Sequence, residues 1–440
     1  MIRFLKHIFI LLFIFNLSAA NAQKSSFTTT HKVVAGETAY SISHKYGLTA
    51  DDLRNANPKL VDSNYGLKAG SVIVIPTKSA HKVTNSVNKT NVINVGVMLP
   101  LNNSKEGEMM VEYYRGILMA CNELKKEHYN INIHAWDVNA KTDIEALLNE
   151  KGVKDCHVIF GPYYSHQISK ISNFAKINNI RLAIPAAPAR NEILSNDKVY
   201  TLNVFNPTFD ENACEKFFKL FDKVNPVIID CNDGKNGKGE FTTIARKYFD
   251  KEDIKYNITN LNSEEKSFVK AFKKNRTNIV ILNSSGINQF GCAVNKMKAV
   301  RKKYPEVKIT MLGYNDWFSF EKYKLADFAA NDVYIPSYFY YNSHSSATKK
   351  IEADYYRWFN DKMQQTTPRY AISGYDHAMF FLRGINRYGN SFTGAKEQNS
   401  GSSIQMPLHF DKISADGGYR NAAFMFIHYK KDQSIESLAY

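Results

Sequence analysis

The chain has 440 residues, a formal net charge of +15 and a hydrophobic fraction of 44%. That fraction is ordinary for a globular chain, and the length suits two or three domains. The basic residues are scattered without interleaved aromatic residues, which predicts no nucleic-acid partner. The positive charge favours anionic surfaces such as cell-wall polymers, although a general lysine-rich composition explains it equally well.

The first 22 residues have the order of a secretory signal peptide. Arg3 and Lys6 precede an apolar run over residues 8–17, and residues 20–22 (Ala-Asn-Ala) supply the small residues of a cleavage site. The apolar run is about ten residues long, which is shorter than the ~20 residues that a membrane-spanning helix needs. The sequence therefore predicts cleavage before Gln23 and export to the periplasm or beyond, with an uncleaved N-terminal anchor as the alternative.

Residues 31–78 follow the order strand, turn, two short helices and strand. The segment opens on His31, passes through Asn57-Pro58 and closes on the apolar run at 72–76. This order resembles a LysM module, a small βααβ domain of a family that binds N-acetylglucosamine-containing glycans such as peptidoglycan and chitin. The resemblance implies a groove between two loops. The implied glycan contacts are Gly36, Glu37, Thr38 and Ala39 in the first loop and Asn57, Pro58, Lys59 and Leu60 in the second.

One departure weakens the predicted groove. Many members of the family carry leucine where Ala39 stands, so some apolar contact with the sugar is reduced. A single module should also bind weakly, because retention on a polymer usually comes from several linked modules. The alternative is a small spacer domain with a degraded groove.

A second, larger region begins after a polar stretch at 79–91, which we interpret as a flexible linker. From residue 92, apolar runs alternate with amphipathic helical segments such as 108–125, a pattern that predicts mostly parallel sheets covered by helices. The alternation occurs once over 92–203 and again over 226–336, which predicts two lobes. The predicted strands are 93–99, 131–136, 158–160, 181–184, 227–231, 278–282 and 308–312.

Several short motifs in this region resemble the type I periplasmic binding proteins, the family of branched-chain amino acid receptors. The motifs are 94–101 (NVGVMLPL), 160–165 (FGPYYS), 183–187 (AIPAA), 374–378 (GYDHA, as a helix start), and 408–411 with 417–421 as a closing hairpin. The resemblance implies a two-lobed Venus-flytrap α/β fold over 92–438, with three chain crossings between the lobes. It places lobe one at 92–203 and 338–395, and lobe two at 204–337 and 400–438.

In that family the ligand lies between the lobes, near strand ends and helix starts. The resemblance implies that Asp316 pairs with an ammonium group and that Ser165 caps its helix and meets a carboxylate. Ala186 and Ala187 stand where amino acid receptors commonly carry serine or threonine, so a free amino acid is a disfavoured ligand. The implied cleft residues are Asn102, Asn103, Tyr163, Tyr164, Ser165 and Ala187 in lobe one, and Phe205, Ser284, Asn315 and Asp316 in lobe two.

No motif predicts catalysis, a metal site or a cofactor. The histidines lack HExxH spacing, the five cysteines lack Cys-x-x-Cys spacing, and the glycine-rich segment 233–239 lacks the ending of a P-loop. His166 and His377 fall on or beside predicted helix starts, where we expect helix caps or surface residues. A wall hydrolase is therefore the least favoured hypothesis.

Two hypotheses follow for the whole chain. The first is an exported, wall-associated binding protein that holds peptidoglycan or another N-acetylglucosamine glycan and binds or senses a small molecule by lobe closure. The second is an interaction module with a degenerate cleft, which docks another envelope protein as a regulator of peptidoglycan synthesis.

Overall fold

The computed structural model describes residues 27–34, 37, 39–46, 48, 50–57, 70–76, 92–186, 191–202, 208–399 and 401–440. The predicted signal peptide at 1–22 and the predicted linker at 79–91 lie outside these residues. The chain divides into a small N-terminal unit and a large unit that holds most of the remaining chain. None of the described helices is both long enough and apolar enough to cross a membrane.

The N-terminal unit has the predicted βααβ order. Its elements are β1 (Phe27–Lys32), α1 (Ala39–Lys45), α2 (Ala50–Asn55) and β2 (Val72–Pro76). The two strands pair antiparallel, with His31 opposite Ile73. Alternate residues of β2, Ile73 and Ile75, face a small core that also includes Ile42 of α1 and Leu53 of α2. These four side chains are almost fully buried and join the helices to the two-stranded sheet.

The first sheet of the large unit has seven strands, in the order β13, β14, β7, β6, β5, β3, β4. All neighbouring pairs are parallel except β13 with β14. Four of its strands were predicted within one residue of their bounds. The strands are β3 (Ile93–Leu99), β4 (Ile131–Asp137), β5 (Val158–Phe160), β6 (Arg181–Ile184), β7 (Val199–Thr201), β13 (Phe410–Lys412) and β14 (Tyr419–Asn421).

The second sheet also has seven strands, in the order β16, β15, β12, β11, β10, β8, β9. Strands β8 to β12 are parallel, and β15 and β16 are added antiparallel at one edge. The strands are β8 (Val224–Asp230), β9 (Asn257–Asn260), β10 (Thr277–Leu282), β11 (Lys308–Leu312), β12 (Val333–Ser337), β15 (Met425–Tyr429) and β16 (Ile435–Ala439).

Helices follow most of the parallel strands. They are α3 (Lys105–Lys126), α4 (Ile144–Leu148), α5 (Ser165–Ile177), α6 (Glu192–Ser195), α7 (Phe209–Phe218), α8 (Gly239–Lys251), α9 (Glu265–Val269), α10 (Ile287–Lys303), α11 (Glu321–Ala330), α12 (Ser346–Phe359) and α13 (Tyr370–Tyr388). Helix α3 begins three residues before the predicted start. The reason is Ser104, whose hydroxyl accepts the Gly107 N–H at 3.0 Å and caps the helix.

Each sheet is the centre of one lobe, and the chain passes between the sheets three times. The passages lie between β7 and β8, between β12 and β13, and between β14 and β15. The third passage differs from the expected position near residue 400. Strand β14 pairs parallel with β7, with Tyr419 opposite Tyr200, so residues 410–421 belong to lobe one. The crossing therefore lies between Asn421 and Met425, where β15 enters the second sheet.

Both lobes repeat the same parallel strand order. Strands β4-β3-β5-β6-β7 and β9-β8-β10-β11-β12 each read 2-1-3-4-5, an order whose reversal point lies between the first and third strands. Ligands of open α/β sheets bind outside the carboxyl ends of the strands at such a point. The fold therefore places candidate ligand sites at the loops that follow β3 and β5 in lobe one, and β8 and β10 in lobe two.

Helices α3 and α13 of lobe one pack closely against each other. A Cβ atom added to Gly116 would lie 1.9 Å from the Ala371 carbonyl oxygen, and one added to Gly374 would lie 2.0 Å from that of Tyr113. Gly374 was predicted at a helix start, but α13 begins at Tyr370 and Gly374 lies in its second turn. The glycine is required there because the backbones of the two helices touch.

Candidate functional site

The first predicted glycan loop is braced by Glu37. One carboxylate oxygen of Glu37 accepts the Val34 N–H at 2.8 Å and a hydrogen bond from His31 Nε2 at 2.7 Å. The Tyr46 hydroxyl lies 3.0 Å from His31 Nδ1 on the other side of the ring. The Val34 N–H and the His31 ring lower the pKa of Glu37. Glu37 is therefore bound to His31 and Val34 and uses one carboxylate oxygen within the fold.

The second predicted loop begins at Asn57, whose side chain links α2 to β2. Its amide nitrogen donates to the carbonyl oxygens of Leu53 and Val74, each at 2.7 Å, and its oxygen accepts the Val74 N–H at 2.8 Å. The amide thus pairs with both backbone groups of Val74. Asn57 therefore joins the end of α2 to β2.

The other predicted glycan contacts divide into two groups. Ala39 is the first residue of α1, is half-buried and packs against the core of the N-terminal unit. The remaining predicted contacts are Gly36, Thr38, Pro58, Lys59 and Leu60, and they lie outside the described residues.

The Glu37 contacts predict a local response to acid. A carboxyl group with a lowered folded pKa stabilises the folded state above its ordinary pKa of 4.5, and this contribution is lost as the pH falls through the folded pKa. We expect the hydrogen-exchange protection of the Val34 amide to be constant from about pH 8 to about pH 5 and to fall below about pH 4.5. Glu37→Gln should lower that protection above about pH 5 and remove its dependence on acid; an unchanged protection factor at neutral pH in this variant would contradict the bracing role.

In lobe one, Asn102 and Asn103 follow β3 as predicted. Asn102 forms hydrogen bonds with other described residues. Asn102 Oδ1 accepts the Ser104 N–H at 2.9 Å and so turns the chain into α3. The Leu101 N–H beside it donates to Asp137 at 2.8 Å. Asn103 is exposed and lies next to this turn. Asn102 therefore positions the loop, whereas Asn103 can meet a ligand.

Tyr163, Tyr164 and Ser165 follow β5 at the same edge of the sheet. The rings of Tyr163 and Tyr164 meet edge to face with centroids 5.0 Å apart, and both are half-buried. Burial and the nearby carboxylate of Glu106 raise the pKa of Tyr163, so its hydroxyl stays protonated. The expected cap by Ser165 is wrong, because Tyr164 is the N-cap residue of α5 and no side chain caps that end. Ser165 is exposed in the first turn.

In lobe two, the contacts of Ser284 make it a structural residue. Ser284 is fully buried, its hydroxyl donates to Asp233 at 2.7 Å, and it accepts the Gly286 N–H at 3.0 Å. Asp233 also accepts the N–H groups of Lys235 and Asn236. The Ser284 hydroxyl and these two N–H groups lower the pKa of Asp233 to about 2. The glycine-rich turn at 233–239, between β8 and α8, is thus held by an ionised aspartate.

Asp316 pairs with a cation of its own chain. Its carboxylate lies 2.9 Å from Lys238 Nζ, and Lys238 also lies over the Tyr314 ring at 5.3 Å. Burial opposes ionisation of Asp316, but the contact with Lys238 outweighs it and leaves the pKa below its ordinary value. Asn315 is exposed beside it at the start of the 3-10 helix Asn315–Phe320. A ligand ammonium group would have to displace Lys238 to reach this carboxylate.

The two remaining predicted cleft residues, Ala187 and Phe205, lie outside the described residues. Of the described residues that the sequence placed at the cleft, Tyr163 and Ala186 line the cavity of lobe one described next. Ser284 and Asp316 lie together on the lobe-two side but are satisfied by Asp233 and Lys238.

Lobe one contains a cavity of about 360 Å³ at the carboxyl ends of its strands. Tyr163 follows β5, Ala186 follows β6 and Leu202 follows β7, so three loops contribute to its wall. Residues from the N-terminal halves of α3 and α13 complete it. Tyr338 and Phe339 also line it and directly follow β12, at the second crossing between the lobes.

The interior of this cavity holds a buried hydrogen-bonded pair. The Tyr113 hydroxyl and His377 Nδ1 are 2.8 Å apart, and their exposed fractions are 1% and 3%. Burial lowers the pKa of His377 to about 3, so the imidazole is neutral. Among the partners that the structure describes, His377 Nε2 has no hydrogen bond. The expectation that His377 is a cap or surface residue is wrong, because α13 begins seven residues earlier and turns this side chain into lobe one.

Sequence reasoning missed the cavity, although one signal was present. The segment 108–125 was predicted as an amphipathic helix, and Met110 and Tyr113 lie on its apolar stripe, which is typical of core residues. The partners of that stripe, His377 and Met406, are about 260 residues or more away along the chain. Their approach depends on the packing of α13 against α3, which no local pattern predicts.

The strand order, the two sheets and the three crossings define a two-lobed fold of the type I periplasmic-binding-protein class, preceded by a small βααβ domain. Residues 31–76 match the LysM domain family, so the chain carries a LysM domain. This confirms the predicted order of the two regions.

Among solved structures, the large unit is similar to an ABC transporter substrate-binding protein from Desulfitobacterium hafniense in complex with leucine. That match has 14% identity, covers 79% of this chain and 100% of the other, and has a TM-score of 0.38. The branched-chain amino acid binding protein LivJ from Streptococcus pneumoniae, in complex with isoleucine, matches with 14% identity, the same coverages and a TM-score of 0.37. LpoA from Haemophilus influenzae matches with 12% identity over 80% of this chain and 60% of its own, with a TM-score of 0.44.

These identities and TM-scores are low, so the fold class rests on the strand order and crossings of this chain itself. No curated protein sequence matches the chain.

Proposed function

We propose that the protein is an exported binding protein of the cell envelope. Its LysM domain attaches it to an N-acetylglucosamine glycan such as peptidoglycan, and its two-lobed unit binds or senses a small molecule by lobe closure. The observation that carries this proposal is the cavity of about 360 Å³ at the carboxyl ends of the lobe-one strands. It lies where open α/β sheets bind ligands, and its volume is in the usual range of ligand pockets.

The lobe-one cavity is also suited to closure. Tyr338 and Phe339 line it at the point where the chain crosses from the second sheet to lobe one. A change in the backbone at this crossing would move these rings relative to Tyr163 across the cavity. Ligand contacts with both sides would therefore favour one arrangement of the lobes over another.

The glycan-binding role is tested by Asn57→Ala in the full chain. The substitution removes three hydrogen bonds and leaves the backbone groups of Val74 without their partner, at a cost of about 2–3 kcal/mol to the N-terminal unit. We expect binding to insoluble peptidoglycan in a sedimentation assay to fall at least several-fold. Asn103→Ala, at an exposed asparagine of the large unit, is the control and should bind as the unaltered protein does. Equal sedimentation of both variants would contradict a glycan site on these loops.

The small-molecule role is tested by thermal shift with amino acids, sugars, muropeptides and neutral aromatic compounds. A ligand present at 100 times its Kd adds about 2.7 kcal/mol to the free energy of unfolding, which is easily detected. We expect at least one small molecule to stabilise the protein. If none does, the small-molecule proposal is wrong.

The second candidate function is an interaction module of the envelope that regulates peptidoglycan synthesis. It is favoured by the lobe-two contacts, in which Lys238 pairs with Asp316 and Asp233 binds Ser284. Residues that would hold the charged groups of an amino acid are used within the fold. A reproducible envelope partner, captured by the protein without any small-molecule response, would favour this function.

A further inference from the structure

The lobe-one cavity has a chemical character that specifies its ligand class. The structure describes thirteen residues that line it, and none of them is aspartate, glutamate, lysine or arginine. A carboxylate or ammonium group buried without a counter-charge costs several kcal/mol. A charged amino acid therefore has no counter-charge among the described lining residues, and a neutral molecule does not need one.

Aromatic side chains dominate the wall. The five aromatic rings other than the His377 ring are those of Tyr113, Tyr163, Tyr338, Phe339 and Tyr370. An aromatic ligand among these rings would form edge-to-face and offset-stacked contacts, which add binding free energy beyond that of the buried area. Met110 and Met406 add flexible thioethers, which make favourable contacts with aromatic rings. The cavity volume is about twice that of a cavity that holds benzene, so one substituted ring or a fused pair of rings fits.

Among the fully buried polar side chains that line the cavity, one hydrogen-bonding position has no partner in the part of the chain that the structure describes. The Ser373 hydroxyl is satisfied, because it donates to the Arg369 carbonyl oxygen at 3.2 Å and accepts from Gln405 at 3.1 Å. His377 is satisfied at Nδ1 by Tyr113, whereas Nε2 has no partner among the described residues. A buried polar atom without a partner is costly, and a bound molecule with a complementary group would remove that cost.

We propose that this cavity binds a neutral aromatic compound that forms a hydrogen bond with the Tyr113–His377 pair. This inference rests on the proposed small-molecule function and names its ligand class. The Tyr113–His377 pair fixes the orientation of the ring system, and the surrounding aromatic and methionine side chains supply the buried contact. The ligand class differs from a free amino acid because the described residues of the cavity wall carry no charge.

The test compares matched probes on the full-length chain. Benzamide and benzoate have nearly the same shape, but only benzoate is charged at neutral pH; indole and L-leucine extend the comparison. We expect benzamide and indole to raise the melting temperature and to bind at least tenfold more tightly than benzoate and L-leucine in calorimetric titrations. Benzoate or L-leucine binding as tightly as benzamide would overturn the inference, and so would the absence of binding by all four probes.

Two variants locate the binding. Tyr113→Phe/His377→Leu removes both members of the pair, so no buried partner is stranded, and it should lower benzamide affinity at least tenfold. Ala186→Leu narrows the cavity from its half-buried rim and should weaken benzamide and indole together. Ala140→Leu, at an exposed turn of the same lobe, is the control and should leave both affinities unchanged. Wild-type benzamide affinity in the first two variants would overturn the inference.

The outcomes separate this inference from the proposed function. If L-leucine or a muropeptide binds and benzamide does not, the small-molecule function stands and the ligand class is wrong. If no small molecule of either panel binds, both are wrong.

Discussion

Replacing Asp376 with alanine should lower the free energy of unfolding by about 4 kcal/mol. Asp376 is 3% exposed on α13, and its carboxylate accepts the backbone N–H groups of Ile404, Gln405 and Met406 at 2.8, 2.9 and 3.1 Å. Alanine leaves these donors without a partner, and two of them belong to buried residues. Urea denaturation followed by circular dichroism measures the loss.

A matched control separates burial from hydrogen bonding in this result. Asp143 caps α4 and also accepts two backbone N–H groups, those of Glu145 and Ala146, but this contact is exposed to water. Asp143→Ala should therefore cost only about 1 kcal/mol. Asp376→Asn, which keeps one acceptor and the side-chain shape, should fall between the two alanine variants. Equal costs at Asp143 and Asp376 would contradict the importance of burial.

Replacing Gly374 with alanine should cost about 3 kcal/mol and also impair the lobe-one cavity. The added Cβ would lie 2.0 Å from the Tyr113 carbonyl oxygen, so the backbones of α3 and α13 must separate. Tyr113 and His377 are on these two helices, and their hydrogen bond depends on the same close approach. We expect a lower melting temperature together with weaker binding of any cavity ligand.

Gly291 provides the control for this substitution. It lies within α10, and a Cβ added there meets no heavy atom within 4 Å. Gly291→Ala should stabilise the protein by about 0.5–1 kcal/mol, because alanine loses less conformational freedom in a helix than glycine. Destabilisation at Gly291 as large as at Gly374 would show that close helix contact is not the cause.

Much of the fold could be predicted because buried parallel strands are continuous apolar runs. Strands β3, β5, β6 and β11 have the predicted bounds, since turn residues delimit each run. The C-terminal strands were harder to assign. Residues 408–421 were correctly interpreted as a hairpin, but the sheet that receives a hairpin depends on its partner strand. The pairing of Tyr419 with Tyr200 across more than 200 residues has no local signal.

The functional site was less predictable. The sequence shows which polar residues are near a strand end, but it does not show which hydrogen-bond or ion-pair partners those residues have in the folded chain. Ser284 and Asp316 were placed correctly at the lobe-two edge. Their partners, Asp233 and Lys238, come from a different loop and take up the groups that a ligand would use. His377 illustrates the opposite case. A histidine near a helix start is usually exposed, and only the packing of α13 on α3 buries it.

Closure of the two lobes on a small molecule in the lobe-one cavity can be measured as a distance between two labels. Cys292 on α10 is exposed, whereas the other four cysteines are buried, so a label can be attached to lobe two without removing them. A second label at Ala140→Cys, in the exposed turn after β4, reports on lobe one. Pulsed electron paramagnetic resonance then measures the distance between the labels with and without saturating benzamide. We expect the distance distribution to shift to shorter values; an unchanged distribution at saturation would contradict lobe closure.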